Sequence, residues 1–145
     1  MTGMEILKPL AVLAGWTMIM WIWMYATRIP AINKLPKPTE PGADQGWTGA
    51  MLEGLIAREV QWKAHNYNHL HEAPTVFYAV ALALAVIGQG DGLNAQIAWA
   101  YVALRIVHSI WQSTVNKVAV RFLLFALSSL CLMALTLHLL LALFH

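Results

Sequence analysis

Charged side chains are scarce in this 145-residue chain, at 11% of residues, whereas soluble globular domains carry roughly 25%. The mean hydropathy is correspondingly high, at +0.59. This composition excludes an ordinary water-soluble domain and indicates a chain that is solvated by lipid. A helix that crosses a bilayer needs about 20 residues, so four crossings would use roughly 80 to 100 residues and leave only short loops.

Cysteine is also scarce, and the single one, Cys131, excludes an intrachain disulfide. It lies in the apolar run 130–143, where a cysteine packs as a small hydrophobic residue. The N-terminal segment lacks both a basic leader and a small-x-small cleavage site, so we expect a retained first helix. The formal net charge of +2 gives no indication of nucleic-acid binding, and no nucleic-acid partner is expected.

Apolar segments separated by prolines, glycines and polar clusters predict an all-α membrane protein, a bundle of four transmembrane helices. The stretch 10–27 carries no charge, and Pro30, Pro36, Pro38 and Pro41 follow it, so the first helix is expected to end near residue 27. Residues 29–48 are expected to form the long loop. The predicted helices are about 5–27, 50–88, 95–115 and 118–144, in one domain that spans residues 1–145.

The distribution of lysine and arginine predicts the orientation of the bundle. Eight of these nine residues lie in or near the first and third connections, and only Lys8 lies at the opposite end. Because basic residues are retained on the cytoplasmic side, both connections should be cytoplasmic and both termini should face away from the cytoplasm.

Two predicted helices carry polar residues at helical spacing. The stripe on the third helix is Tyr101, Arg105, His108 and Gln112, and the stripe on the second is Arg58, Trp62, His65, His69 and Glu72. An ionisable side chain that faces lipid costs about 2.5 to 3.5 kcal/mol on insertion scales, so both stripes should face the bundle interior. Together with Arg28 and Arg121, they predict a mainly cationic cavity that opens at one membrane face.

Each of these residues also has a structural interpretation. Arg28 would serve equally well as a positively charged anchor at the membrane surface, and Glu72 would serve to neutralise a buried arginine. His65 and His69 have the i, i+4 spacing of metal ligands, but the sequence offers no clear third ligand, so no metal site is expected. A haem held by His69 and His108 is a further alternative, although neither lies in a haem motif.

Two segments resemble the MAPEG family (membrane-associated proteins in eicosanoid and glutathione metabolism), in its bacterial branch. The run NYNHLHEAPTVFY at residues 66–78 is similar to the family's polar helix that bears Asn and Glu and continues into Pro and Phe. The run YVALRIVH at 101–108 resembles its Tyr-x-x-Leu-Arg-x-x-His motif. The resemblance implies a homotrimer of four-helix subunits in the bacterial inner membrane, where the distribution of lysine and arginine described above predicts that both termini are periplasmic. It also implies glutathione between neighbouring subunits and a lipophilic substrate that enters from the bilayer.

The resemblance assigns roles to individual positions. Arg121 matches the arginine that stabilises the glutathione thiolate, a role that is physically sensible because a guanidinium beside sulfur lowers the pKa of the thiol. Glu72 resembles the glutamate that holds the amino group of glutathione, and Arg28 is expected to bind a carboxylate. The remaining members of the predicted glutathione site are His69, Arg105, His108 and Gln112.

Four positions depart from the family pattern, and one of them is Pro74, which follows Glu72 more closely than in the glutathione-transferase relatives. Gln112 stands where glutathione-active relatives often have tyrosine, while Phe122 and Phe125 replace a serine and a tyrosine of some eicosanoid-forming relatives. Two hypotheses therefore stay open. The first is a glutathione-dependent membrane transferase or peroxidase that acts on lipophilic electrophiles. The second is a non-catalytic protein that binds lipid or quinone, or an accessory subunit of a larger membrane complex.

Overall fold

The computed structural model describes residues 3–35, 52 and 54–145. Within these residues the α-helices are α1 (Leu7–Asn33), α2 (Arg58–His69), α3 (Ala73–Val86), α4 (Leu93–Thr114) and α5 (Val118–Phe144). Helices α2 and α3 are two parts of one rod of 29 residues. The described part of the chain is therefore all-helical and consists of four rods.

Three of the four rods are long and apolar enough to cross a membrane: Leu7–Asn33, Arg58–Val86 and Val118–Phe144. The protein therefore associates with the lipid bilayer. Helix α4 has 22 residues, enough for a crossing, but its mean hydropathy is lowered by the polar residues that it buries inside the bundle. Its membrane crossing stays a prediction.

Side-chain hydrogen bonds show that neighbouring rods run antiparallel. His138 Nδ1 lies 2.6 Å from Asn94 Oδ1 and joins the last turns of α5 to the first turn of α4. Asn66 Nδ2 in α2 donates to Ser109 Oγ in the second half of α4, at 2.5 Å. Helix α4 packs most extensively against α5 and also contacts α1 and α2. It therefore lies at the centre of the bundle.

The apolar core lies where all four rods meet. The fully buried Phe77 ring of α3 stacks on Tyr101 of α4, with ring centroids 4.5 Å apart. Leu13 and Met20 of α1 and Leu135 of α5 are also fully buried in the same cluster. Because α3 contributes Phe77 to this cluster, packing in the core fixes the position of α3. Helix α2, the other part of the same rod, carries polar residues instead.

Residues 3–6, which precede α1, are held against the turn between α3 and α4. The Asp91 carboxylate accepts hydrogen bonds from the backbone N–H groups of Gly3, at 2.6 Å, and Glu5, at 3.1 Å. The backbone N–H of Ile6 donates to the Gly90 carbonyl at 3.0 Å. The two bonds from Gly3 and Glu5 hold the pKa of the Asp91 carboxyl below its usual range. We call this arrangement the N-terminal clasp.

The prediction that the first helix ends near residue 27 is wrong. Helix α1 continues through Pro30 and ends at Asn33. A proline has a backbone φ that suits a helix, but it removes one hydrogen bond and its ring crowds the carbonyl four residues earlier, and α1 continues for only three residues beyond Pro30. The Thr27 hydroxyl, three residues before Pro30, lies 3.1 Å from the carbonyl oxygens of both Trp23 and Met24.

The prediction of one continuous helix over 50–88 is also wrong. Helix α2 begins at Arg58, after Gly54 with its positive φ of 79°, and the rod is broken at residues 70–72. Pro74 explains the break, since it lacks the N–H that a continuous helix would donate to the Leu70 carbonyl. Proline is tolerated instead in the first turn of α3. Residues 50, 51 and 53 and the loop positions 36–48 lie outside the described residues.

Candidate functional site

A cavity of about 310 Å³ lies where the end of α2 meets the second half of α4 and the first turns of α5. Helices α2 and α4 supply a polar wall, and α5 supplies a wall that is apolar except for one arginine. The lining residues are His69, His108, Gln112, Val118, Arg121, Phe122 and Phe125. The cavity can therefore hold a polar group and an apolar group side by side.

The polar stripe of α4 is buried over its whole length. Tyr101 and Arg105 are each 1% exposed, His108 is 2% exposed and Gln112 is 8% exposed. His108 and Gln112 line the cavity, while Arg105 lies one turn deeper and Tyr101 a further turn down, against Phe77. The stripe therefore continues from the cavity into the core of the bundle.

Arg105 is the least satisfied polar group of this stripe. None of its three guanidinium nitrogens has a hydrogen-bond partner among the described residues. Glu72 interacts with it electrostatically but forms its salt bridge with His69. A buried charge without a hydrogen-bonded partner is strongly unfavourable. An anion or a polar ligand from outside the described part of the chain would supply the partner that this guanidinium lacks.

Two histidines form the inner wall of the cavity. The rings of His69 and His108 stack with centroids 5.0 Å apart and an interplanar angle of 26°. Phe125 lies on the other side of His69, at 5.7 Å between centroids. His69 Nδ1 is 3.3 Å from a carboxylate oxygen of Glu72, while His69 Nε2 and His108 Nδ1 are buried without a partner in the described structure.

Arg121 is held in place by the turn between α4 and α5. Its Nη1 donates to Asn116 Oδ1 at 2.6 Å. Asn116 has a positive φ of 54°, and its backbone N–H donates to the Trp111 carbonyl at 2.7 Å. Asparagine tolerates this left-handed conformation better than most residues. The turn therefore fixes the position of the Arg121 guanidinium at the cavity.

The structure brings together four of the seven predicted site residues: His69, His108, Gln112 and Arg121 all line the cavity. Glu72 is mostly exposed and reaches the cavity only through its contact with His69. Arg105 is buried beneath the cavity. Arg28, on α1, does not line it, although Arg28 Nε is buried and unpartnered among the residues described.

The expected orientation of the second stripe is only partly correct. Arg58, His65 and Glu72 are exposed in the single chain, whereas α2 buries Gln61, Ala64 and Asn66. The sequence did not predict the hydrogen bond between Asn66 and Ser109. Helix α2 contacts α4 through amides and small side chains that lie between its charged positions. The charged side chains stay exposed, where they can remain hydrated.

Asn116 and Val118 were also missed as residues of this site. The signal for Asn116 was its position in a short helix connection, where asparagine often adopts a positive φ. Val118 lines the cavity from the first turn of α5 and carries no distinctive sequence signal. Across the described ranges, no group of three or more His, Cys, Asp or Glu side chains is arranged to hold a metal ion.

Comparison with known proteins identifies the family. The model of the MAPEG family matches residues 6–141, nearly the whole chain. No curated protein and no solved structure gives a significant match. The match includes both polar helices and the arginine at the start of α5. The chain therefore belongs to the MAPEG family.

Proposed function

We propose that this protein is a glutathione-dependent membrane transferase or peroxidase that acts on lipophilic electrophiles. The observation that carries the proposal is the buried Arg105 guanidinium, whose nitrogens lack described partners beneath a cavity that Arg121 also lines. Two guanidinium groups near one cavity favour an anionic ligand. Membership of the MAPEG family supports glutathione as that ligand.

The donors and acceptors present suit glutathione, which carries two carboxylates, one ammonium group and one thiol. The carboxylates would be held by Arg105 and, in the assembled protein, by Arg28. Glu72 has one carboxylate oxygen beside His69 and a second that would accept hydrogen bonds from the ammonium group. Gln112 would supply a neutral amide donor.

When bound, glutathione supplies a thiol nucleophile. In the proposed reaction Arg121 stabilises the thiolate, because a guanidinium beside sulfur favours the charged form. Val118, Phe122 and Phe125 form an apolar wall next to it. Phe122 is 67% exposed and would face lipid, so a lipophilic electrophile could reach the sulfur from the bilayer.

We also propose a fourth membrane crossing and a homotrimer. The polar stripe of α4 is buried, while Trp99, Val107 and Ile110 on its outer surface are 43%, 50% and 45% exposed, as is suitable for contact with lipid or a neighbouring subunit. The exposed Glu72 would be covered by a neighbour. On the basis of the positive-inside rule, we propose that the cavity opens at the cytoplasmic face of a bacterial inner membrane and that both termini are periplasmic.

The decisive experiment combines binding and turnover. Glutathione is titrated calorimetrically into detergent-solubilised protein, and conjugation of a lipophilic chromogenic electrophile is followed on the same sample. S-methylglutathione is the matched control, since it keeps the carboxylates and the ammonium group but has no thiol. We expect both peptides to bind and only glutathione to support turnover. Absence of a binding signal for both would refute the proposal.

The apolar α5 wall favours a second candidate, a non-catalytic protein that binds lipid or quinone. Apart from Arg121, the α5 side chains that line the cavity are Val118, Phe122 and Phe125, none of which can donate a proton or a hydrogen bond from its side chain. Under this hypothesis an apolar ligand should co-purify with the protein and be found by mass spectrometry of the extract. Substitution Phe125→Ala should then release that ligand, and no electrophile should be turned over.

A further inference from the structure

The break between α2 and α3 places a carboxylate against an imidazole of the cavity. Helix α2 ends at His69, and the backbone N–H of Glu72 donates back to the His69 carbonyl at 3.1 Å. This tight turn brings a Glu72 carboxylate oxygen to 3.3 Å from His69 Nδ1. The rod breaks here because of Pro74, and the His69–Glu72 contact spans the residues of this break.

The contact favours one tautomer of a neutral His69. An ionised carboxylate can only accept a hydrogen bond, so it favours the proton on Nδ1, and Nε2 of the neutral ring then carries the lone pair. Nε2 is buried and unpartnered within the described structure, and the His69 side chain lines the same cavity as Arg121. The unpartnered Nε2 therefore belongs to a side chain that lines the cavity where the thiolate is proposed to form.

We propose that His69, oriented by Glu72, is the general base that removes the thiol proton of the bound peptide. This proposal rests on the proposed glutathione chemistry. The S–H bond breaks, the proton moves to His69 Nε2, and sulfur keeps the electron pair as a thiolate beside Arg121. The thiolate then forms the S–C bond. The leaving group departs with the bonding pair, and His69 returns the proton to it or to solvent.

The groups around His69 suit this role. The charged groups that face it are Glu72, from the break between α2 and α3, Arg105 of α4 and Arg121 of α5, and His108 of α4 stacks on its ring. Once His69 has accepted a proton, the Glu72 carboxylate balances the new positive charge against the two guanidiniums. Arg121 remains free to stabilise sulfur, so base and thiolate stabiliser are separate residues.

The first test needs neither glutathione nor turnover. In protein labelled with ¹⁵N-histidine, the His69 resonance, assigned by its loss in His69→Gln, should show a protonated Nδ1 and an unprotonated Nε2. Substitution Glu72→Gln should shift it to a mixture of both tautomers, because an amide no longer requires Nδ1 as donor. A wild-type resonance with Nε2 protonated would overturn the proposal.

The second test is kinetic, with saturating glutathione. His69→Gln should lower kcat by roughly 100-fold at neutral pH, within the range of general-base catalysis. The deficit should shrink as the pH rises, because solvent then deprotonates the thiol without the imidazole. A purely structural defect would not depend on pH in this way. His71→Gln is the matched control: His71 is exposed, packs against Tyr67 and does not line the cavity, so kcat should be unchanged.

A double-substitution cycle tests whether the two residues act together. If Glu72 acts on the rate through His69, the variant with both residues changed to Gln should lose no more kcat than His69→Gln alone. Multiplied losses would overturn the pairing. If wild-type protein turns over but His69→Gln retains its full rate, only the general-base proposal fails. If wild-type protein neither binds nor turns over glutathione, the proposed function itself fails.

Discussion

Arg121→Leu separates catalysis from binding. The Arg121 guanidinium is tethered to Asn116 and lines the cavity beside His69 and His108. A positive charge within about 4 to 6 Å of a thiol lowers the pKa of that thiol by roughly one to three units. Each unit changes the thiolate population at neutral pH by about tenfold as long as the thiol is mostly protonated. Because the gain ends once the thiol is mostly ionised, after about two units at neutral pH, we expect Arg121→Leu to lower kcat by roughly 10- to 100-fold.

The affinity for glutathione should change much less, because the substitution acts mainly on the charge of sulfur. Calorimetry gives Kd, turnover of an electrophile gives kcat, and the ultraviolet absorbance of the thiolate measures the ionised fraction directly. Arg28→Gln is the contrasting variant. If Arg28 binds a carboxylate, its loss should weaken binding by about tenfold and leave the thiolate absorbance of the saturated protein unchanged.

Asn116→Gly is the structural control for this prediction. Glycine adopts the positive φ of residue 116 without strain but cannot accept the hydrogen bond from Arg121. The guanidinium would remain but lose its tether, so kcat should fall in the same direction as in Arg121→Leu and by less. The assignment of Arg121 to thiolate stabilisation is refuted if Arg121→Leu weakens binding while the kcat and thiolate absorbance of the saturated protein stay at wild-type values.

Further predictions concern stability and topology. Phe77→Ala should destabilise the fold by about 3 to 5 kcal/mol, measured by denaturant unfolding in detergent, because the ring is fully buried. Since the folded pKa of Asp91 is lowered, its contribution to stability is present above the ordinary carboxyl pKa and is lost as the pH falls through the folded value. Wild-type protein should therefore lose more thermal stability than Asp91→Asn between about pH 6 and pH 3, and a parallel loss would contradict the clasp. In a cysteine-free background, a cysteine at Thr39 should be labelled from the cytoplasmic side and one at Asn94 from the periplasmic side; the reverse pattern would invert the topology.

Local patterns were sufficient for α4 and α5. The predicted ranges 95–115 and 118–144 agree with Leu93–Thr114 and Val118–Phe144 to within two residues. The stripe of α4 was predictable because its spacing of four, three and four belongs to one helical face, and charge excludes that face from lipid. Both features depend on residues that are close in sequence.

The break at residues 70–72 and the N-terminal clasp depend on more than local pattern. Pro74 was visible in the sequence, but a proline can either kink a helix or begin a new one. Which of the two occurs depends on the residues against which the two parts pack. Here α3 buries Phe77 in the core while α2 packs Asn66 against α4. The clasp joins Gly3 to Asp91 across 88 positions, a contact that no local pattern encodes.

The site depends on this division of the α2–α3 rod. In a continuous helix residues 69 and 72 would also be neighbours on one face, so the contact between His69 and Glu72 does not by itself require the break. The break separates the packing of the two parts: α2 packs Asn66 against α4, and α3 packs Phe77 into the core. Meanwhile Arg105, fixed in the uninterrupted α4, supplies positive charge from below. Pro74 therefore acts on the cavity without lining it: it lacks the N–H that a continuous helix would donate to the Leu70 carbonyl, so α2 ends at His69 and packs against α4 independently of α3.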